Sequence, residues 1–426
     1  MSVNQDSGLG WGPNPGDAAP RPPAPETAQQ PPAAPGPASG PVPTATAPPA
    51  QPRGARVGLS QEVQAGDLDI AEALRTMLRT GASDLHLTTG APPMVRLDGQ
   101  LAALPGFEVL KPDSLQRSIY ALLTQKQREK FEENLELDFS HALVGEARFR
   151  VNVYRQRDSV GAAFRIIPYE IKPLEALGIP AAVSGFAHLP RGLVLVTGPT
   201  GSGKSTTLAS LVDLANRSRS AHIMTVEDPI EFLHRHKRSL VNQREVGSDT
   251  HTFQAALRHV LRQDPDIILI GEMRDLETIQ VALTAAETGH LVFATLHTQD
   301  AAQTIDRIID VFPPGQQGQI RAQLATALQG VVCQSLCKRS DGPGRAVAVE
   351  VMMATSAIRN LIREGKTHQI YSALQAGSKM GMQTMDQHLA ELVRLGRISY
   401  DTGLEMCHHV EDFNRLAGRG VGTEVR

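Results

Sequence analysis

The chain has 426 residues, of which 41% are hydrophobic and 20% are charged, and its formal net charge at pH 7 is −3. This length is enough for two or three domains, and the composition is that of a globular protein rather than a disordered chain. The near-neutral charge and the aromatic content of 4% argue against a protein that works by binding nucleic acid, because basic surface and stacking rings are both scarce.

The sequence contains neither a membrane-spanning segment nor a disulfide framework. No stretch approaches the roughly 20 apolar residues that a membrane span needs, and the N-terminus lacks the basic start and apolar run of an export signal. The three cysteines, Cys333, Cys337 and Cys407, are too few for a disulfide-stabilised fold, and we interpret Cys333 and Cys337 as buried thiols. We therefore expect a cytoplasmic protein.

Residues 1–58 differ in composition from the rest of the chain. Roughly half of the 29 prolines lie between Pro13 and Pro52, mixed with Ala, Gly, Gln and Thr, and Trp11 is the one tryptophan of the chain. Such a segment has few apolar side chains to bury, so nothing offsets the entropy lost on ordering it. We expect a disordered, partly polyproline-like tail, and a partner-docking motif around Trp11 is the alternative.

Residues 59–168 have the pattern of a small α+β domain. Between Leu68 and Leu78 apolar residues recur at helical spacing, which predicts a short helix. Alternating apolar and polar residues then predict four strands, Asp84–Leu87, Met94–Leu97, Ala147–Tyr154 and Val160–Ile167. Prolines at positions 168, 173, 180 and 190 indicate that residues 169–190 are a linker.

Residues 191–400 have the pattern of a parallel sheet covered by helices. Short and nearly continuous apolar runs, typical of strands buried on both faces, alternate with helical patterns. The runs are Leu193–Thr197, Ile223–Val226, Ile267–Ile270 and Leu291–Leu296. The predicted fold class is therefore α/β with right-handed crossovers. After about Gln316 we find only helical periodicity, and we regard residues 401–426 as a C-terminal extension.

The segment Gly198–Ser205 reads GPTGSGKS and matches the phosphate-loop pattern at every fixed position. Its glycines let the backbone turn its N–H groups toward phosphate oxygens, and the helix that follows adds its positive end. Lys204 would reach the β- and γ-phosphates, and the Ser205 hydroxyl would ligate Mg²⁺. The predicted ATP-binding residues are Gly198, Pro199, Thr200, Gly201, Ser202, Gly203, Lys204, Ser205 and Thr206.

Acidic residues follow two of the predicted buried strands. The sequence DIILIGE ends in Glu272, whose carboxylate would reach the sheet edge and order Mg²⁺ through water. The sequence TVEDPIEF contains Glu227, Asp228 and Glu231, and hydrolysis needs a carboxylate that orients or deprotonates the attacking water. We choose Glu231 for that task, although spacing alone does not rank it above Glu227, and Asp228 can instead cap the turn at Pro229.

Histidines and arginines supply further candidates for phosphate sensing. His290 and His297 bracket one predicted strand in the sequence TGHLVFATLHT, and they are either phosphate donors or ordinary core histidines. Arginines cluster in the predicted strands of residues 59–168, where alternation puts Arg148 and Arg150 on one face. They form either a solvated basic face or a set that reaches a nucleotide held by a neighbouring subunit. The candidates for phosphate sensing are His290, His297, Arg148, Arg150, Arg155 and Arg165.

These four boxes, in this order, resemble the Walker A, Asp, Walker B and His boxes of the secretion-type ATPase superfamily. The resemblance covers about residues 60–400 and implies a hexameric ring, in which a PAS-like N-terminal domain and a RecA-like P-loop core share the ATP site. It implies Lys204, Glu231 and Glu272 as the catalytic residues, with Glu231 as the base. It also implies that Ser205 and Glu272 hold Mg²⁺ and that His290 and His297 form the His box.

The segment Ala357–Glu364 reads AIRNLIRE and resembles the motif of the pilus-retraction ATPases within this superfamily. The residues of this retraction motif are Ala357, Ile358, Arg359, Asn360, Leu361 and Ile362. The isoleucines and Leu361 would form an apolar helical face and leave Arg359 and Asn360 available for polar contacts. Residues 340–345 are too short for the tetracysteine zinc module that is typical of extension and type II secretion ATPases.

The resemblance therefore implies a homohexameric motor that hydrolyses ATP with Mg²⁺ and powers type IV pilus retraction and twitching motility. It would bind an inner-membrane pilus platform protein and lie at the cytoplasmic face of the membrane, with no nucleic acid as partner. The alternatives are an accessory retraction ATPase or an extension or type II secretion ATPase of the same superfamily. A nucleic-acid-translocating motor and a non-catalytic nucleotide-binding scaffold are alternatives of other classes.

Overall fold

The computed structural model describes residues 64–97, 99–167 and 170–418. The predicted tail at residues 1–58, with Trp11, lies outside the described residues, and so do the last eight residues of the chain. All described residues belong to one compact unit that spans residues 59–426.

The first part of this unit is a six-stranded antiparallel sheet with three helices. Its elements in chain order are α1 (Ile70–Thr80), β1 (Asp84–Leu87), β2 (Met94–Leu97), β3 (Gln100–Ala103), α2 (Pro112–Leu122), α3 (Gln125–Asn134), β4 (Glu136–Leu143), β5 (Ala147–Gln156) and β6 (Ser159–Ile167). The strand order is β3-β2-β1-β6-β5-β4. The four predicted strands and the predicted helix are all present.

The pleat of β5 determines which side chains of this sheet are available for function. Phe149 and Val151 point into the core of the first sheet and are fully buried. Arg148 and Arg150 therefore share the opposite face, as predicted. On β6, Arg165 lies directly opposite Arg150 in the strand register.

The helix α3 was not predicted because its sequence has almost no apolar pattern, and Phe131 is its one buried residue. It forms because Thr124 and Gln127 make a reciprocal capping box at its start. The strand β4 and the helix α2 were likewise not predicted.

The second part is a seven-stranded sheet with helices on both faces. Its elements in chain order are α4 (Ala181–Ser184), β7 (Gly192–Thr197), α5 (Lys204–Ser218), β8 (His222–Glu227), β9 (Leu240–Glu245), α6 (Phe253–Val260), β10 (Ile267–Ile270), α7 (Leu276–Glu287), β11 (Leu291–Leu296), α8 (Ala301–Asp310), α9 (Pro314–Ala327), β12 (Leu328–Lys338), β13 (Arg345–Met353), α10 (Ser356–Arg363), α11 (Ile370–Ala376), α12 (Met385–Arg394), α13 (Tyr400–Met406) and α14 (Val410–Leu416).

The strand order of this sheet is β13-β12-β7-β11-β10-β8-β9. Every neighbouring pair is parallel except β12 and β13. The fold class predicted from the sequence, α/β with a smaller α+β part before it, is confirmed. The two sheets lie within residues 59–168 and 191–400, whose limits as domains remain predictions. The predicted linker contains the short helix α4.

The expectation of only helical structure after Gln316 is wrong, because β12 and β13 follow α9. The apolar residues Ile320 and Leu324 lie on α9, whereas Leu328 and Val331 continue the same spacing into β12. Most of β12 is buried, so its side chains show none of the alternation that identifies a strand.

Part of the predicted C-terminal extension is folded. The helices α13 and α14 pack against α12, where the fully buried Asp386 accepts hydrogen bonds from the backbone N–H groups of His408 (2.7 Å) and His409 (3.1 Å). Over the described residues, we find no helix that combines the length and the apolar character of a membrane span.

Candidate active site

The carboxyl ends of the parallel strands meet at one edge of the second sheet, where ligands bind in open α/β folds. The phosphate loop follows β7, residues 228–232 follow β8, Glu272 follows β10, and His297 follows β11. These segments surround one cavity of about 810 Å³, which the first sheet also lines through Arg150 and Arg165.

The phosphate loop follows β7 and packs against the neighbouring strand β12. Gly198 has φ 139°, and a Cβ atom there would lie 2.2 Å from the backbone oxygen of Gln334, so only glycine fits. The Gln334 side-chain amide donates to the carbonyl of Ser202 at 2.7 Å. The next helix, α5, begins after Gly203 with no side-chain cap, which leaves its first N–H groups for a phosphate.

Lys204 is buried at the start of α5. Its ammonium group donates to the carbonyl oxygens of Gly198 at 2.8 Å and Pro199 at 3.0 Å, and it lies 3.5 Å from Nδ1 of His297. Burial lowers the pKa of Lys204, while the negative charge of Glu272 opposes that shift. The lysine nitrogen thus lies inside the cavity, between the phosphate loop and His297.

Glu272 is held in place by two basic side chains. Its Oε1 lies 2.8 Å from Nε2 of His297, and its Oε2 lies 2.7 Å from a guanidinium nitrogen of Arg274. Burial alone would raise the pKa of Glu272, but the hydrogen bond from Arg274 and the charge of His297 together lower it. The carboxylate is therefore ionised and oriented toward the cavity.

Glu227 and Glu231 differ in their surroundings. The Glu227 carboxylate is buried and accepts hydrogen bonds from Oγ1 of Thr225 at 2.7 Å and from the side chain of Gln243 at 3.1 Å. In the described part of the chain, no side chain or backbone group donates a hydrogen bond to the Glu231 carboxylate, which lines the cavity. Burial raises its pKa, and the charges of Arg150 and Arg165 oppose the rise.

Arg150 and Arg165 line the same cavity as the phosphate loop. Arg165 also donates to Oδ1 of Asp84 at 2.7 Å. Arg148 and Arg155 do not line the cavity. The guanidinium of Arg148 lies 3.8 Å from the Glu245 carboxylate, and the exposed Arg155 lies near the other end of β5. A role in phosphate sensing within one chain is therefore not supported for these two.

Comparisons with known proteins agree with this geometry. Residues 165–402 match the family described as type II/IV secretion system protein. The chain is 53% identical over 346 residues to the type IV pilus retraction ATPase PilT of Pseudomonas aeruginosa, which covers 81% of this chain and 100% of that protein. It is 46% identical over 351 residues to a twitching motility protein of Neisseria gonorrhoeae, which covers 81% and 93%.

A crystal structure of the pilus retraction motor PilT with bound ADP is similar in fold. It has a TM-score of 0.78 and 50% identity, and the match covers 82% of this chain and 100% of that chain. The chain belongs to the type II/IV secretion system protein family. The resemblance to the secretion-type ATPases, with a RecA-like core, is confirmed.

His290 lies away from the cavity in this family member. It comes directly before β11 and His297 directly after it, so a six-residue strand separates the two and puts them at opposite sheet edges. The His290 ring instead bonds to the carbonyl oxygen of Ala285 at 3.0 Å. The two ends of the strand lie at different sheet edges, so His290 does not line the cavity of its own chain, and its role in phosphate sensing stays a prediction.

The site fits a divalent cation only together with a ligand. In the described ranges, no three His, Cys, Asp or Glu side chains gather where they could hold a metal ion. Ser205 is exposed to the cavity, and Glu272 lines it from the neighbouring strand. One hydroxyl and one carboxylate, completed by substrate phosphate oxygens and water, are the donors that Mg²⁺ takes in nucleotide sites.

Sequence reasoning missed three polar residues of the site, Gln334, Arg274 and Arg345. Arg274 stands two residues after Glu272, and this closeness of a basic residue to the predicted acid was a signal that could have identified it. Arg345 begins β13 and lines the cavity. Its role depends on a strand that was not predicted.

The predicted retraction motif lies on α10, and none of its residues lines the cavity. Ile358 and Ile362 are fully buried, as the apolar face predicted. Arg359 is not available for other polar contacts, because it donates to the carbonyl oxygens of Ala325 at 2.6 Å and Thr326 at 2.7 Å. It thereby caps the carboxyl end of α9.

Proposed function

We propose that this chain is the subunit of a homohexameric ATPase that powers type IV pilus retraction. The observation that carries the proposal is the meeting of Lys204, Glu272 and Glu231 around one cavity, in a chain whose close relatives are named as retraction motors. The cavity of about 810 Å³ has the size of a small-molecule site.

The reaction is in-line attack of water on the γ-phosphate of ATP. Glu231 accepts the proton of the attacking water, because its carboxylate is uncommitted and its raised pKa suits a base near neutral pH. Lys204 and the N–H groups at the start of α5 bind the phosphates. Arg150 and Arg165 stabilise the charge that develops on the transferred phosphoryl group.

Ser205 and Glu272 would hold Mg²⁺, which would neutralise part of the negative charge of the ATP phosphates when bound. Glu272 is oriented for this by Arg274 and His297, which fix its two oxygens in different directions. His297 lies between Lys204 and Glu272, with Nδ1 3.5 Å from the lysine nitrogen and Nε2 2.8 Å from the glutamate carboxylate.

The partners follow from the family. We infer that the chain assembles as a hexamer and acts on an inner-membrane platform protein of the pilus, at the cytoplasmic face of the membrane. Arg148, Arg155 and His290, which do not line the cavity of their own chain, are then candidates for contact with a nucleotide of the neighbouring subunit.

A complementation experiment tests this function. The chain is expressed in a piliated bacterium that lacks its own retraction ATPase, beside Lys204→Ala and an exposed-lysine control, Lys379→Ala. The wild-type chain and the control should restore twitching and remove excess surface pili, whereas Lys204→Ala should not. If purified wild-type protein instead hydrolyses ATP only when nucleic acid is added, it is a nucleic-acid motor.

A further inference from the structure

Glu245 joins the two sheets through a buried carboxylate. It is the last residue of β9, the edge strand of the second sheet, and its side chain is 5% exposed. Its Oε1 accepts a hydrogen bond from the hydroxyl of Ser140 on β4 at 2.7 Å. Its Oε2 lies 3.8 Å from the guanidinium of Arg148 on β5. Ser140 and Arg148 belong to the first sheet, and the hydroxyl of Ser248, three residues after Glu245, also donates to Oε1 at 3.1 Å.

The same carboxylate also holds the segment that carries the proposed base. The backbone N–H of Ile230, the residue before Glu231, donates to Oε2 of Glu245 at 3.2 Å. The N–H of Glu231 itself donates to Glu227 at 3.4 Å, a weaker bond from within the second sheet. The backbone beside the base is thus bound by a carboxylate that two side chains of the first sheet contact.

The strand β5 of the first sheet links the cavity to Glu245. Arg148 and Arg150 lie on one face of β5, and Arg148 contacts Glu245 while Arg150 lines the cavity beside Glu231. Contact between the sheets therefore brings the charge of Arg150 to the cavity. At the same time it brings Ser140 and Arg148 to Glu245, which binds the backbone N–H of Ile230.

We propose that Glu245 is a positioning residue that makes the place of Glu231 depend on contact between the two sheets. This inference rests on the proposed function, in which Glu231 is the base. When the first sheet is in place, Ser140 and Arg148 orient the Glu245 carboxylate, and this carboxylate fixes the N–H of Ile230. When the first sheet moves away, the carboxylate loses Ser140 and Arg148 and keeps the hydroxyl of Ser248, so the backbone beside Glu231 is held less firmly for attack.

The experiment measures kcat and KM for ATP, and the affinity for ADP, in Ser140→Ala, Ser140→Thr, Glu245→Gln and the double variant Ser140→Ala/Glu245→Gln. Ser159→Ala on β6 is the matched control, because in the described ranges its side chain makes no bond to the second sheet. Glu231→Gln is measured beside them as a test of the base itself.

Ser140→Ala should lower kcat about tenfold with KM and ADP affinity unchanged, since a misplacement of about 1 Å costs up to about a hundredfold in rate. Ser140→Thr keeps the hydroxyl and should restore kcat. Glu245→Gln should lower kcat at least as much, and the double variant should be no slower than Glu245→Gln alone, because both changes break one linkage.

Wild-type kcat in Ser140→Ala, or effects of the two changes that simply add, would overturn the inference. If Glu245→Gln fails to fold, the comparison of Ser140→Ala with Ser140→Thr decides it. If Glu231→Gln hydrolyses ATP at the wild-type rate, the assignment of the base fails. If Glu231→Gln is inactive and Ser140→Ala is normal, only the positioning role fails.

Discussion

Two glutamates stand four positions apart at the end of β8 and just beyond it, and their hydrogen bonds distinguish them. The Glu227 carboxylate accepts hydrogen bonds from Thr225 and Gln243, and these bonds hold the strand ends together. Glu231 faces the cavity with two arginines nearby. The geometry thus separates a structural carboxylate from a catalytic candidate, which the spacing in the sequence could not do.

The pH dependence of turnover should report the pKa of Glu231. A base must be ionised, so kcat falls as the pH drops through its pKa, which burial raises above that of ordinary glutamate. Arg150 lowers this pKa by its charge, so Arg150→Gln should move the acid limb of kcat to higher pH. A pH–rate series on both proteins measures this, and a limb that stays or moves to lower pH contradicts it.

At the scale of elements, the four strands that carry the site were predictable because each is a continuous apolar run. The missed elements have other patterns. The edge strand β9 reads LVNQRE, of which four residues are polar, while β12 continues the spacing of the helix before it. The missed site contacts join distant segments, as Gln334 does with Ser202 across 132 positions, and no local pattern encodes such pairs.

Glu350 on β13 bridges the starts of two helices. Its carboxylate accepts hydrogen bonds from the N–H of Ala301 on α8 at 2.8 Å and of Met385 on α12 at 3.4 Å. Burial nevertheless raises its pKa to about 7. The carboxyl binds its proton more tightly in the folded state, so its contribution to stability is present at low pH and is lost as the pH rises through about 7.

The variant Glu350→Gln, which does not titrate, should remove this dependence. Relative to the variant, the wild-type protein should lose on the order of 2 kcal/mol of unfolding free energy between about pH 5 and about pH 8. Urea denaturation at the two pH values measures the difference, with the exposed Glu391→Gln as control. If the unfolding free energy of the wild-type protein relative to Glu350→Gln is the same at both pH values, or rises with pH, the result contradicts this role of Glu350.

Arg359 should be important for the stability of α9 and α10. Its guanidinium binds the last carbonyl groups of α9 and also the carbonyl oxygen of Ala354 at 2.8 Å. Arg359→Ala should lower the free energy of unfolding by about 1.5–3 kcal/mol, the cost of losing charged hydrogen bonds. Arg363 is an exposed neighbour on the same helix, and Arg363→Ala should change the free energy of unfolding by less than about 0.5 kcal/mol. Equal urea midpoints for the two variants would show that the cap has no such role.

In the whole molecule, the proposed nucleotide site lies where the two sheets contact each other. The phosphate loop and its acids belong to the second sheet, and Arg150 and Arg165 come from the first. A motor needs such an arrangement, because the energy of nucleotide binding can move one part against the other only if both touch the nucleotide site.

The most direct test of the central claim is the ATPase rate of the purified full-length protein beside Glu231→Gln, with the mass of each determined by light scattering in the same buffer. The account predicts that both proteins are hexamers and bind ATP, and that the wild-type protein turns it over while Glu231→Gln is slower by at least about a hundredfold. A wild-type hexamer that binds ATP without hydrolysing it, or a Glu231→Gln variant of normal rate, would contradict the account.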